Sequence, residues 1–90
     1  MMAATSPPRL LLLSRPGCGL CAELAEDLET AFGADACVLE QVDVDSREDW
    51  RQRWGLLIPV LLDDDGKPLS VTRLDLSTVA AALGRSPRRS

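Results

Sequence analysis

Histidine and tyrosine are both missing from this 90-residue chain. Without histidine there is no Ser/His or Cys/His nucleophile pair and no zinc site with imidazole ligands. Aromatic residues are few as well. Phe32, Trp50 and Trp54 are the whole set, too sparse for a platform on which nucleic-acid bases could stack. No apolar run approaches the length of a membrane span. The first eight residues lack a basic cluster followed by an apolar stretch, so no secretory signal is read there and a cytoplasmic protein is expected. Lysine is reduced to Lys67 against nine arginines, a bias expected of a GC-rich bacterial genome. Acidic residues outnumber basic ones, for a net charge of −4, and Arg85, Arg88 and Arg89 crowd into the last six positions. Such a surface repels phosphate backbones and anionic lipid, so neither nucleic acid nor membrane is an expected partner.

What remains is an ordinary globular composition, 46% hydrophobic and 27% charged, of a length that allows one domain. Residues 1–8 end in a proline pair without periodicity and are expected to form a disordered tail; residues 85–90 read as a flexible basic tail. The domain is therefore placed at 9–84. Leu10 to Leu13 is a short apolar run closed by Ser14-Arg15-Pro16-Gly17, as in a strand buried on both faces. From Cys18 the spacing turns helical, with Leu20, Leu24, Leu28 and Phe32 every four residues and Gly33 as the stop. Cys37 to Val44 reads as a second strand with Val38, Val42 and Val44 as its apolar members. Ser46, with Asp49 three residues on, is read as the cap of a helix that carries Trp50 and Trp54 and ends at Gly55. Val60 to Leu62 is a third strand, Asp64-Asp65-Gly66-Lys67 a hairpin turn, and Leu69 to Val71 the return strand. Asp75 or Ser77 caps a last helix, Leu76 to Leu83, closed by Gly84. The order is β-α-β-α-β-β-α, an α/β domain with a four-stranded mixed sheet. Its first three strands are expected to be parallel, with the hairpin strand antiparallel.

Three cysteines, an odd count in a chain without an export signal, argue against a structural disulfide framework. Cys18 and Cys21 stand three apart where a strand meets a helix. There the free N–H groups and the helix dipole favour a thiolate at Cys18, and Arg15 adds positive charge. Cys21, one turn further in, is close enough to attack a mixed disulfide on Cys18. Other readings of the same residues stay open. The pair could be two apolar residues at a helix start, half of a metal site with Cys37 as the only further sulfur, or part of an iron–sulfur centre shared across a dimer. Gly17-Cys18-Gly19-Leu20-Cys21-Ala22 also satisfies the G-x-G-x-x-A pattern of dinucleotide-binding turns, with Glu40 or Asp43 spaced for a ribose contact. Thiol–disulfide exchange accounts for both cysteines and for their placement, and it is preferred. Cys37 reads as a buried apolar residue. Asp63-Asp64-Asp65 reads as a solvated turn, because Leu74 stands where a calcium loop needs its twelfth-position acid.

Ser14-Arg15-Pro16-Gly17-Cys18-Gly19-Leu20-Cys21 resembles the active-site stretch of glutaredoxins. Ile58-Pro59-Val60 resembles that family's cis-proline segment, and Val42-Asp43-Val44-Asp45 its second-strand ending. The resemblance covers about residues 9 to 84 and is closest to short bacterial glutaredoxin-like proteins. It implies a single thioredoxin-like domain in which Cys18 is the attacking thiolate and Cys21 the resolving thiol. Arg15 would pair with a carboxylate of glutathione or of a protein substrate. Ile58 and a cis Pro59 would bond an extended substrate beside Gly19 and Leu20, and Asp75 would bind an amine at the far end. Two departures bear on the substrate. Gly19-Leu20 stands where glutaredoxins usually have Pro-Tyr, and Val71-Thr72-Arg73-Leu74-Asp75 has no glycine where many have a Gly-Gly turn.

The expectation is thus a glutaredoxin-like oxidoreductase acting on protein disulfides or glutathione mixed disulfides, a monomer with no bound cofactor and no metal. Glutathione or another small thiol would be its co-substrate. A thioredoxin-fold module that docks a peptide without turnover is the alternative, with an iron–sulfur carrier behind it.

Overall fold

Consecutive leucines in the first strand, β1 (Arg9–Ser14), point alternately to two faces, and both faces are covered. The structure is a computed structural model and describes residues 7–87. After β1 come α1 (Gly19–Phe32), β2 (Val38–Asp43), a 3₁₀ turn (Val44–Ser46), α2 (Glu48–Trp54), β3 (Val60–Leu62), β4 (Pro68–Val71) and α3 (Leu76–Leu83). One mixed four-stranded sheet has the order β2-β1-β3-β4. Leu10, Leu12 and Leu61 face the cluster built with Leu24, Leu28 and Phe32 of α1 and Val79 of α3. Leu13, Val60 and Leu62 face Val44 and Trp54 on the other side. An apolar run without polar alternation is what a strand covered on both faces requires. The thioredoxin-like α/β architecture read from the sequence is the observed one, and among the described residues no helix is long and apolar enough to cross a membrane.

Strand direction departs from expectation. β1 and β2 are parallel, but β3 runs antiparallel to β1, with Leu13 opposite Val60 and Leu11 opposite Leu62. The connection between β2 and β3, residues 44–59, holds a 3₁₀ turn and the short α2 rather than a crossover that returns the chain to the starting end of the sheet, so β3 begins at the end where β2 finished.

Smaller corrections have similar local reasons. The buried stripe of α1 is Cys21, Leu24, Leu28, Ala31 and Phe32, while Leu20 is 57% exposed at the first turn. β2 is one residue shorter at each end than read, and Val38 is exposed; Val44 is buried within the 3₁₀ turn instead. Ser46 does not cap α2: it belongs to the 3₁₀ turn, where its hydroxyl donates to the Asp43 carbonyl at 2.6 Å. Arg47 takes the cap position without a side-chain bond, and Glu48 and Asp49 supply the acidic first turn. Asp75 does cap α3, and Gly84 closes it at φ +69°. Of the two tails, residues 1–6 and 88–90 lie outside the described residues. At Arg85 the guanidinium donates to the Phe32 carbonyl at 3.3 Å.

Candidate functional site: a disulfide at a helix N-terminus

β1 ends at Ser14, and the chain turns through Pro16 and Gly17 before α1 begins. Gly17 sits at φ +80°, a conformation glycine adopts without the steric cost a Cβ imposes. The turn closes when the Cys18 N–H donates to the Arg15 carbonyl at 3.1 Å. Cys18 is the N-cap of α1: its backbone is extended and its Sγ accepts the Cys21 N–H at 3.2 Å. Cys18 and Cys21 are joined in a disulfide with their Cα atoms 5.3 Å apart. The two sulfurs differ in access. Cys18 is partly exposed, and Cys21 is only 2% exposed. An incoming thiolate or disulfide therefore meets Cys18. A reduced Cys18 would face the N–H groups of the first turn, which lack intrahelical acceptors, and these favour its thiolate.

Arg15 is engaged elsewhere through three of its five N–H groups. Its Nε and Nη2 donate to the two carboxylate oxygens of Asp45 at 2.8 and 3.0 Å, and Nη1 donates to the Gly55 carbonyl at 3.0 Å. These bonds hold the Asp45 carboxyl below the usual carboxylate range and push the guanidinium further up. The packing leaves no room for a side chain at Gly55, where a Cβ would sit 2.5 Å from the Arg51 carbonyl oxygen and 3.2 Å from Arg15 Nη2.

An open cleft of about 770 Å³ runs beside the disulfide, with Pro16, Gly17, Cys18 and Gly19 at its head. Its walls are Ala22, Ala25 and Glu26 of α1 and Gln41, Val42 and Asp43 of β2. Asp43 Oδ1 also accepts the Asp45 N–H at 2.9 Å, shaping the turn that presents Asp45 to Arg15.

The remaining sequence candidates lie on other elements. The Ile58–Pro59 peptide bond is cis, with Pro59 buried and Ile58 partly so. Thr72 fastens this segment: its N–H donates to the Pro59 carbonyl at 2.7 Å and its hydroxyl to the Leu57 carbonyl at 2.8 Å. Thr72 does so at φ +69°, an outlying conformation for a β-branched residue, in the stretch where a glycine is absent from the sequence. Asp75 lies past it as the α3 cap. Its carboxylate accepts the Thr78 N–H at 3.1 Å and hydroxyl at 2.8 Å, while its own N–H donates to Ser70 Oγ at 2.8 Å. Those bonds hold the Asp75 carboxyl below its usual range. Cys37 packs partly buried against the core, and burial pushes its thiol up. Among the described residues no group of three or more histidine, cysteine, aspartate or glutamate side chains is gathered to hold a metal ion.

Of the eight residues the sequence singled out for the site, Arg15, Cys18, Gly19 and Cys21 line this cleft, whereas Leu20, Ile58, Pro59 and Asp75 do not. The sequence reading did not find Asp45 as the partner of Arg15, nor Thr72, nor the Glu26–Gln41–Asp43 wall. The signal for Asp45 lay in the parallel pairing of β1 with β2, which sets Ser14 opposite Asp43 and so brings the two strand ends side by side.

Comparison with known families decides the affiliation. A family model described as a glutaredoxin-like domain (DUF836) matches residues 9–84. The chain belongs to this glutaredoxin-like family. Its fold is also similar to that of protein Ne2328 from Nitrosomonas europaea, solved by solution NMR, with a TM-score of 0.72 and 25% sequence identity. The match covers 91% of this chain and 98% of that one. No curated protein matches the chain. A Cys18–Cys21 pair in a glutaredoxin-like domain fits a thiol redox role.

Proposed function

We propose that this glutaredoxin-like protein is a thiol–disulfide oxidoreductase with Cys18 as nucleophile and Cys21 as resolving thiol. The carrying observation is the asymmetric pair: a partly exposed sulfur capping α1 and bonded to a sulfur that is 2% exposed. In the reduced protein the Cys18 thiolate attacks one sulfur of a substrate disulfide, forming a Cys18 mixed disulfide and expelling the other sulfur as thiolate. Cys21 then loses its proton and attacks Cys18 Sγ, which restores the Cys18–Cys21 disulfide and expels the second substrate sulfur. Two electrons pass from the dithiol to the substrate, and the two protons end on the released thiols. A thiol reductant returns the electrons in the same steps reversed. The chemistry resides in the two sulfurs and requires no resident cofactor.

The proposed substrates are protein disulfides or mixed disulfides with a small thiol, handled by a protein inside the cell. The test is intact mass after brief exposure of Cys21→Ser to bis(2-hydroxyethyl) disulfide at neutral pH, with Cys18→Ser treated alike. A rapid adduct confined to the variant that retains Cys18 is expected. Adduct formation no faster than with free cysteine in both variants would overturn the assignment and leave a non-catalytic binding module.

A further inference from the structure

We infer that the substrate disulfide is carried on an extended protein segment with cationic side chains, seated in the cleft between α1 and β2. This inference rests on the thiol–disulfide reading of Cys18 and adds the identity of what Cys18 attacks. The cleft does not stop at the disulfide. It continues into a second hollow of about 320 Å³ that shares Ala25, Glu26 and Gln41 with it, adds Glu29, and reaches Cys37. That length exceeds what one small thiol fills, and β2 is an outer strand of the sheet among the described residues. An extended segment therefore finds both a trough for its side chains and strand groups for its backbone.

The charge of the trough selects the segment. Glu26, Glu29 and Asp43 line it, and among the described residues neither Glu26 nor Glu29 is in an ion pair. Among the described residues the cation at its head is Arg15, whose charge is paired with the Asp45 carboxylate and whose guanidinium also donates to the Gly55 carbonyl. A segment with carboxylates along the trough meets like charge, whereas lysine or arginine three to five residues from the cysteine lies level with Glu26 and Glu29, about 12 and 16 Å along α1 from Cys18. Pro59 plays no part in this wall: it precedes β3, on the opposite side of β1 from β2.

The experiment uses the reduced full chain and two short synthetic peptides, each with one cysteine blocked as a mixed disulfide with 2-mercaptoethanol. One peptide carries lysines three to five residues to either side of the cysteine and the other glutamates there, and cystamine and bis(2-hydroxyethyl) disulfide serve as small probes. Each rate is divided by that of dithiothreitol with the same disulfide. With lysines drawn to within about a Debye length of two carboxylates in a water-like medium, the lysine peptide is expected to lead by about three- to fivefold at low salt, falling toward parity near ~0.5 M salt. The lead shrinks in Glu26→Gln/Glu29→Gln. Equal normalised rates, a lead for the glutamate peptide, or a lead untouched by salt and by the double variant would overturn the inference. Preference confined to cystamine would overturn the protein segment and leave a small cationic thiol. Failure of every disulfide to outpace its reaction with dithiothreitol would instead remove the thiol–disulfide reading itself.

Discussion

Replacing the ionisable sulfur at the cap of α1 isolates what that sulfur contributes to folding. The comparison is Cys21→Ser, which keeps Cys18 as a free thiol, against Cys18→Ser/Cys21→Ser, in which a hydroxyl takes the cap. Either atom can accept the N–H of residue 21, the bond Cys18 Sγ accepts at 3.2 Å in the oxidised protein; the hydroxyl is the stronger neutral cap, but that difference does not vary with pH. Only the thiol can ionise. A negative charge at a helix N-terminus contributes about 0.3–1 kcal/mol when exposed and up to ~2 kcal/mol when partly buried. Cys18 is partly buried, which points to the upper half of that range. A thiolate favoured by the cap contributes where thiols ionise, the unfolded one near about 8.5, and that contribution is lost at acid pH, where both states are protonated. Stability of Cys21→Ser relative to the double variant should therefore grow by about 1–2 kcal/mol between pH 5 and pH 9. That is a Tm change of about 4–8 °C per kcal/mol for a domain of this size. Thermal and guanidinium unfolding by circular dichroism, under a non-thiol reductant, reads it; Cys37 is common to both proteins and cancels. A pH-independent difference would refute the thiolate cap.

The wild type carries the same logic into its redox states. Tying residues 18 and 21 closes a four-residue loop, which on chain entropy alone disfavours the unfolded state by about 2 kcal/mol. Oxidised protein should exceed reduced protein by about that margin at pH 5. The margin should narrow by pH 9 as the thiolate stabilises the reduced fold.

Three further outcomes are expected. Because Arg15 depresses the Asp45 carboxyl, that pair contributes above the ordinary carboxylate value of about 3.9 and is lost as pH falls through the depressed one. The stability gap between wild type and Asp45→Asn, read by unfolding from pH 7 to pH 3, should accordingly close at the acid end. Leu61, fully buried between α1, α3 and β1, should cost about 2–5 kcal/mol as Leu61→Ala by denaturant unfolding, with the midpoint falling and the slope unchanged. In reduced protein at neutral pH, iodoacetamide should label Cys18 well before Cys37, whose thiol burial pushes up, as peptide mass mapping would show; equal rates would count against both assignments.

How much of this was legible in the sequence depends on whether a feature was local. The β1 leucines, the α1 stop at Gly33, the hairpin glycine at φ +84° and the Asp75 cap are decided within a few residues, and local chemistry reads them. The Cys18 cap was legible for the same reason, because strand end, turn and helix start are consecutive. Strand direction was not. It turned on the path of the connection through residues 44–59, which hydrophobic pattern does not contain. Ser46 misled because it is held in the 3₁₀ turn, before the cap position that Arg47 takes. Leu20 misled because a helix's first turn projects past the core it later joins. Thr72 was invisible because a β-branched residue at positive φ runs against local preference, and two bonds from outside its own strand offset that cost.

Arg15 shows how a correct grouping of residues can still misplace a role. A cation three residues before a cysteine invites the reading that its charge activates the sulfur or receives a carboxylate. The geometry divides those tasks differently. Paired with both oxygens of Asp45, the guanidinium presents little net field to Cys18, and its third nitrogen is closed by Gly55. What the three bonds do is fasten the loop after β1 to the turn after β2 and to the end of α2, so that Cys18 starts α1 from a fixed point. On the proposed reading, activation then falls to the N–H groups of the first turn, of which that of Cys21 donates to the sulfur at 3.2 Å. On the proposed exchange reading, the cation positions Cys18 and the peptide dipoles favour its thiolate. The same division leaves the cleft wall acidic, because among the described residues no cation is paired with Glu26 or Glu29. On that reading, activation of Cys18 and selection of a substrate act through separate residues, and substitution at Glu26 is expected to change the second without touching the cap that supplies the first.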